Sequence, residues 1–290
     1  HPKPFDRNAF DRVVEDYRTS FPIHKWDLNS KYLDELLDNL KKSSPGPDGI
    51  PFSAYGRVKN ISKGILWECA LSIMGGGSPP SDFNAPRLVM FAKKPSVEAD
   101  GEKWFAPKDA RPISIVNSDN RILANLFRQT LASFAAKVCR KEQRGFLNQR
   151  FLLDNVIDVD FESKRLYLSS SAGVLFLVDL QAAFPSLGHD YLFAVLERQG
   201  VPREFLEGVK QFYQNNHHTM DLDGESHPSV LVGSGVRQGC PMSPVLFALA
   251  LDPFLDLVCR QVPGDSTLRA YADDLALILK DVADLVKVTP

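Results

Sequence analysis

Tyr271-Ala272-Asp273-Asp274 places two carboxylates side by side between apolar runs. Residues 267–270 before them and residues 275–279 after them each read as a short buried strand, so the pair falls in the tight turn of a hairpin. Neighbouring turn carboxylates repel, and burial would raise their pKa, unless a cation neutralises them. Mg²⁺ is the usual cation for such oxygen ligands. Asp-Asp also occurs in ordinary turns, so a third carboxylate matters. The apolar run Gly173-Val174-Leu175-Phe176-Leu177-Val178 ends in Asp179 and reads as a central strand with a charge at its C-terminal mouth. Ligands gather beyond strand ends in sheet proteins. Asp179 beside the hairpin pair would build a two-metal site, with ions roughly 3.5–4 Å apart.

The elements that must position these groups are read from periodicity. Residues 5–20 form a helix with Phe10, Val13, Val14 and Tyr17 on one stripe. Ser30 is the expected N-cap of a helix over residues 31–42, and residues 43–49 break it. One helix spans residues 55–74 and ends at Gly75-Gly76-Gly77. Residues 87–91 and 111–115 read as strands, with a loop or hairpin over residues 95–108 between them. A long amphipathic helix over residues 119–140 turns Ile122, Leu123, Leu126, Phe127, Leu131 and Phe134 inward. It carries Arg121, Arg128, Lys137 and Arg140 on a basic outer face. Further helices cover residues 153–168, 190–199 and 203–216, and His217 and His218 fall on the surface or in a turn. Residues 219–222 and 230–232 alternate as a hairpin around Asp223-Gly224, and a last long helix opens near Pro241.

The 290 residues, 44% of them hydrophobic and 24% charged, can bury a sizeable core as one large domain or two subdomains. No apolar run approaches the roughly 18–20 residues of a membrane span, and no signal peptide pattern is visible. The first residue is His, which suits a fragment. Cys69, Cys139, Cys240 and Cys259 lie far apart, which argues against a zinc knuckle or a disulfide framework and fits a reducing compartment. The net charge of −2 is unlike that of most nucleic-acid binders, but its distribution is uneven. Residues 80–150 hold 13 Lys and Arg against 7 Asp and Glu, whereas residues 151–290 hold 10 against 19. A basic middle can follow a phosphate backbone, and an acidic C-terminal part suits cations.

Six short motifs stand in order along the chain. They are Pro45-Gly46-Pro47-Asp48-Gly49-Ile50, Arg111-Pro112-Ile113-Ser114, Gln143-Arg144-Gly145-Phe146, Val178-Asp179-Leu180-Gln181-Ala182-Ala183-Phe184, Gly235-Val236-Arg237-Gln238-Gly239-Cys240-Pro241-Met242-Ser243-Pro244 and Tyr271-Ala272-Asp273-Asp274. In these motifs and their order, over about residues 40–280, the chain resembles the reverse transcriptase domain of a non-LTR (LINE-type) retrotransposon, the class that copies RNA into DNA at a nicked target.

The resemblance implies an α+β fold: the fingers and palm of a right-hand polymerase, with a small antiparallel palm sheet backed by helices and the thumb absent. It implies an N-terminal helical extension and the start of the fingers over residues 1–80, fingers over 81–170 and a catalytic palm over 171–290. The implied activity is RNA-directed DNA polymerisation in target-primed retrotransposition, with an RNA template, a DNA primer and dNTPs as partners and no membrane. Asp179, Asp273 and Asp274 are the implied catalytic residues and, with the Leu180 carbonyl, the ligands of two Mg²⁺ ions, for which Mn²⁺ can substitute. Lys93, Arg111, Phe184, Gln238 and Gly239 are implied to bind the nucleotide. Phe184, five residues beyond Asp179, would occlude the sugar 2′-position. Pro185 stands where many relatives have Asp, which puts the local turn in question. Arg144, Gly145, Arg150 and Tyr271 would meet template and primer, inside the cell in nucleus or cytoplasm. Two alternatives stay open: an RNA-binding relic without chemistry, and a reverse transcriptase of group II intron or retron type.

Overall fold

The computed structural model describes residues 4–17, 21–92, 97–99, 101–106, 110–169, 173–222 and 225–287. Lys93 and Lys94 lie outside the described residues. The chain forms two compact units, residues 1–25, 129–201 and 244–290 in the first and residues 26–128 and 202–243 in the second. The fold is mixed α and β, with small sheets and more residues in helices than in strands.

The first unit holds α1 (Arg7–Val14), the C-terminal part of α5 (Ser118–Val138), α6 (Leu152–Ser169), β5 (Val174–Asp179), the single turn α7 (Ala183–Ser186) and α8 (His189–Arg198). Most of α10 (Ser243–Gln261), strands β8 (Thr267–Tyr271) and β9 (Asp274–Leu279), and a 3₁₀ turn over Val282–Lys287 complete it. Its sheet is antiparallel in the order β5-β9-β8. Leu268, Ala270, Leu275, Leu277 and Leu279 of the hairpin bury against Leu255 and Val258 of α10. Each such Leu contributes on the order of 1.5–3 kcal/mol by leaving water. That burial fixes the register, because a slip by one residue would turn the apolar set outward. Phe10, Val14 and Tyr17 pack on Ala194 and Val195.

The second unit holds α2 (Ser30–Asp38), α3 (Phe52–Arg57), α4 (Lys59–Met74), β1 (Arg87–Ala92), the hairpin β2 (Val97–Ala99) and β3 (Glu102–Trp104), and β4 (Ala110–Ile115). The N-terminal part of α5, α9 (Arg203–Gln211), β6 (His217–Leu222) and β7 (Glu225–Leu231) complete it. Its larger sheet runs β4-β1-β6-β7, parallel between β1 and β6 and antiparallel elsewhere. Phe127 meets Phe205 and Phe212 with ring centroids 5.3 Å apart in each pair, the centre of an aromatic core. All six residues expected on the inner face of α5 are buried.

Local physics moved several boundaries. Asn29, not Ser30, caps α2: its Oδ1 accepts from the backbone N–H groups of Lys31 and Tyr32 at 3.0 and 3.3 Å. The helix stops at Asp38, where Asn39 donates back to the Glu35 carbonyl. The single helix expected over 55–74 is two, broken at Val58. α9 ends at Gln211 and both histidines lie in β6. His218 is buried against Asn216 Oδ1 at 3.0 Å; burial, then the Arg237 charge, push its pKa down to about 4, so it is neutral. Arg140 is not on a solvated outer face. Its Nη1 pairs with Asp256 at 2.6 Å and its Nε with Glu142 at 3.2 Å, and both carboxylates are buried. No helix among the described residues is long and apolar enough to cross a membrane.

Candidate active site

The three carboxylates meet in the first unit through strand register alone. Asp179, the last residue of β5, pairs directly with Asp274, the first of β9, and Tyr271 pairs with Asp274 across the hairpin. Ala272-Asp273 is therefore a two-residue loop, and the Asp273 carbonyl accepts from the Leu180 N–H at 3.3 Å. Leu180 thus ties the end of β5 to the turn through its N–H. Ala272 has φ +57°, and Asp273 is not left-handed, the sign pattern of a type II′ turn, whose first position favours Gly. A left-handed non-glycine residue costs about 1–2 kcal/mol, so the surroundings must hold this one.

Residues 142–145 supply the hold. They lie along β8: Ala270 N–H donates to the Glu142 carbonyl and Arg144 N–H to the Ala270 carbonyl, both at 2.9 Å. Gln143, fully buried, bonds the Ala272 peptide through its side chain. A Cβ on Gly145 would sit 2.2 Å from Ala272 N, so only glycine fits. Gly145→Ala is expected to cost about 2–3 kcal/mol, because backbone meets backbone and neither can yield. A urea unfolding midpoint equal to that of the parent would contradict this.

Around the turn stands a ring of aromatics. Phe146, with φ +63°, lies 6.0 Å from Phe184 and 6.5 Å from Tyr271 by ring centroids, and Phe184 lies 5.0 Å from Phe247. Phe184 follows a left-handed Ala182 into α7, whose single turn accommodates Pro185. The two arginines expected at the template, Arg144 and Arg150, are partly engaged elsewhere. Arg150 caps the C-terminus of α5, donating to the carbonyls of Ala136, Cys139 and Arg140 and to that of Gln143. Arg144 Nη2 and Arg269 Nε share Asp158 Oδ2 at 2.7 Å each, while Arg144 Nη1 is buried with no hydrogen-bond partner among the described residues. Burial alone would raise the Asp158 carboxyl; the bonds from Arg269 and Arg144 outweigh it and hold that pKa low.

In the second unit, two of the residues expected to bind nucleotide, Gln238 and Gly239, meet the end of β4. Ser114 N–H donates to the Gln238 carbonyl at 2.9 Å, and a Cβ on Gly239, φ +109°, would approach Ser114 O to 2.9 Å. Arg111 is exposed on the strand that carries Ser114. The buried Arg237 anchors the loop by donating to the Phe212 carbonyl at 2.7 Å. The helix expected at Pro241 starts at Ser243. A separate cleft of about 560 Å³ is lined by Lys41, Lys42, Arg121 and Arg128 with Phe52, Leu40 and Ile122, and no carboxylate lines it. Arg121 stacks over Phe52 at 4.4 Å and donates to Ser43 and the Ser44 carbonyl.

No group of three His, Cys, Asp or Glu among the described residues is arranged to hold a metal ion by itself. The donor set still fits a hard cation, because Mg²⁺ is bound through one or two carboxylates plus substrate phosphates and water rather than an all-protein cage. The Asp274 carboxyl is pushed above its ordinary range, first by burial and then by the charges of Asp273 and Asp179. An acid whose folded pKa is raised binds more protons folded than unfolded, so stability is lost as pH rises through that window. Asp274→Asn is therefore expected to raise the metal-free melting temperature at pH 7.5 by ~1–3 °C, given the modest worth of exposed charges. The gain should vanish near pH 3.8, the unperturbed value, and shrink when Mg²⁺ is added. A gain that is the same at every pH would refute the repulsion.

Sequence reasoning missed Gln143, Phe146 and the lining of the cleft. Gln143 and Phe146 stood inside a motif already noticed; only the pairing with β8 gives them a task.

Residues 92–289 match the family model described as "Reverse transcriptase (RNA-dependent DNA polymerase)". Among curated proteins, the chain is 29% identical over 245 residues to the "Retrovirus-related Pol polyprotein from type-2 retrotransposable element R2DM" of Drosophila melanogaster, covering 81% of this chain and 22% of that protein. It is 31% identical over 269 residues to the "Transposon TX1 uncharacterized 149 kDa protein" of Xenopus laevis, covering 87% and 20%. It is 24% identical over 280 residues to the "RNA-directed DNA polymerase from mobile element jockey" of Drosophila melanogaster, covering 93% and 30%. The chain spans only about a fifth of the length of the first two. With its carboxylate hairpin and the match over most of its length, the chain belongs to the reverse transcriptase family, in the branch of the non-LTR retrotransposons.

Proposed function

We propose that this chain is an RNA-directed DNA polymerase module that extends a DNA primer on an RNA template, in the service of target-primed retrotransposition within the cell. The observation that carries the reading is the register that sets Asp179 opposite Asp274 with Asp273 in the turn between. In this reading the sheet β5-β9-β8 is the palm of a right-hand polymerase and the sheet β4-β1-β6-β7 belongs to the fingers.

Asp179 and Asp273 hold divalent cations, Mg²⁺ or Mn²⁺, with Asp274 as the less direct third carboxylate. When bound, such ions lower the pKa of an attacking hydroxyl and stabilise a leaving pyrophosphate. The reaction is in-line attack of the primer 3′-oxygen on the α-phosphorus of a dNTP, with the bond to pyrophosphate breaking. The protein's part is positioning and charge. Arg111 and Lys93 neutralise the triphosphate, with Arg as a bidentate fork and Lys as a point charge. Gln238 and Gly239 present the loop against which nucleotide and templating base lie. Phe184, held by Phe146 and Phe247, fills the space of a 2′-hydroxyl and selects deoxynucleotides. The cleft of Lys41, Lys42, Arg121 and Arg128 offers cations to the template backbone, and Arg144 adds its charge from beside the carboxylate turn.

The test is affinity for an RNA template annealed to a DNA primer, measured with and without Mg²⁺ and the next complementary dNTP. A polymerase tightens on the duplex when cation and correct dNTP are both present. Affinity indifferent to both would support an RNA-binding relic instead.

A further inference from the structure

The geometry points to Gln143 as a positioning residue for the carboxylate hairpin, a role that rests on the polymerase reading only for its kinetic consequence. Gln143 is fully buried, and both ends of its amide grip one residue, through the two peptide groups that flank its Cα. Oε1 accepts from Ala272 N–H at 2.9 Å and Nε2 donates to the Ala272 carbonyl at 3.1 Å. The same Oε1 accepts from Gly145 N–H at 2.7 Å, which locks the side chain to its own strand. The backbone of Gln143 is held in turn: its N–H reaches the Arg140 carbonyl at 3.2 Å, and its carbonyl accepts from Arg150 at 2.6 Å.

The gripped residue, Ala272, is the one residue of the hairpin in the left-handed region, φ +57°, immediately before Asp273. An Ala there is disfavoured, since its Cβ crowds the following carbonyl. A donor and an acceptor on one rigid amide, matched to the carbonyl and N–H on either side of the Ala272 Cα, hold the backbone angles between them against relaxation. A role in filling space alone would be met by any side chain of equal volume. Holding the turn requires the amide. Gln143 therefore sets where Asp273 and Asp274 stand without touching nucleotide or ion, and Arg150 supports it from behind.

The test uses the 290-residue chain and Gln143→Met, which keeps the volume and removes all three bonds. Three readings are taken: hydrogen exchange over residues 268–276, Mn²⁺ affinity by electron paramagnetic resonance, and kcat and KM for dNTP. The expected result is exchange at least ~10-fold faster in the hairpin with α10 unchanged, Mn²⁺ binding ~10-fold weaker, and kcat ~100-fold lower with KM little moved, the size of effect a misplacement of about 1 Å produces. Adding Ala272→Gly should recover part of each loss, because Gly adopts the positive φ freely. A Gln143→Met protein that exchanges and binds Mn²⁺ like the parent would overturn the inference. So would losses that Ala272→Gly leaves unrelieved. Should Gln143→Met not fold, Gln143→Glu decides, since it keeps the two accepted bonds and loses the donated one. Faster hairpin exchange supports the role, and parental exchange overturns it. A parent chain that neither binds Mn²⁺ nor extends a primer would sink the polymerase reading, while the exchange data still decide the clamp.

Discussion

Asp273→Asn should lower kcat for dNTP incorporation by at least ~10³-fold while leaving the protein folded. The two halves of that result have separate causes. Cation-borne charge stabilisation in phosphoryl transfer is worth several kcal/mol, and each 1.36 kcal/mol is about tenfold in rate. Asn keeps the size and shape of the side chain but gives up the charge that holds the cation. The fold does not need that charge: Asp273 anchors the turn through its backbone carbonyl, to Leu180, and the strands on either side are held by buried leucines. Loss of a like charge beside Asp274 removes repulsion, so the metal-free protein should melt no lower than the parent. Asp179→Asn should behave alike, since it faces Asp274 across the ladder. Circular dichroism melts alongside single-nucleotide incorporation check both halves. An active Asp273→Asn protein would remove the carboxylate hairpin from the chemistry.

The largest loss of stability is expected at Arg140→Ala. The guanidinium is three-quarters buried and pairs with Asp256 and Glu142, which are 7% and 9% exposed. Removing it leaves the buried Glu142 carboxylate without a cation and Asp256 with Arg260 alone, at 2.9 Å, which costs about 2–4 kcal/mol after allowance for the exposed quarter of the Arg and for the pair that stays. For a chain of this size that is a fall of roughly 5–12 °C in melting temperature. The Glu142 carbonyl also receives the Ala270 N–H, so the strand pairing that brings Gln143 to the turn should loosen too. A solvated Arg on a helix face would cost under about 0.5 kcal/mol, and urea titration separates the two values. A shift that small would mean the network contributes little.

How much of this could be read from the chain depends on the range of the interaction involved. The hairpin and its carboxylates were legible, because alternation, apolar runs and a short turn are local. A strand ending in Asp179 and an acidic turn could be read locally, but that Asp274 opens β9 directly opposite Asp179 needed the pairing of strands far apart in the chain. Arg140 was misread because the helical periodicity was carried two residues past Val138, where α5 ends, and because nothing local says that Asp256, 116 positions on, lies against it. Gln143 was invisible as a clamp for the same reason: its partner peptide is 129 positions away. Arg150 carries the charge expected of a template contact, yet its fork closes a helix end, which only tertiary structure reveals. The cap of α2 falls one residue before Ser30, because it is the Asn29 Oδ1 that reaches the first free N–H groups of the helix.

The measurement that tests the account most directly is extension of a DNA primer annealed to an RNA template, with Mg²⁺ and dNTPs, by the 290-residue chain beside its Asp273→Asn variant. The account predicts templated extension by the parent, none by the variant, and none by the parent when Mg²⁺ is chelated. Equal extension by parent and variant, or none by the parent on any primed RNA template, would contradict it.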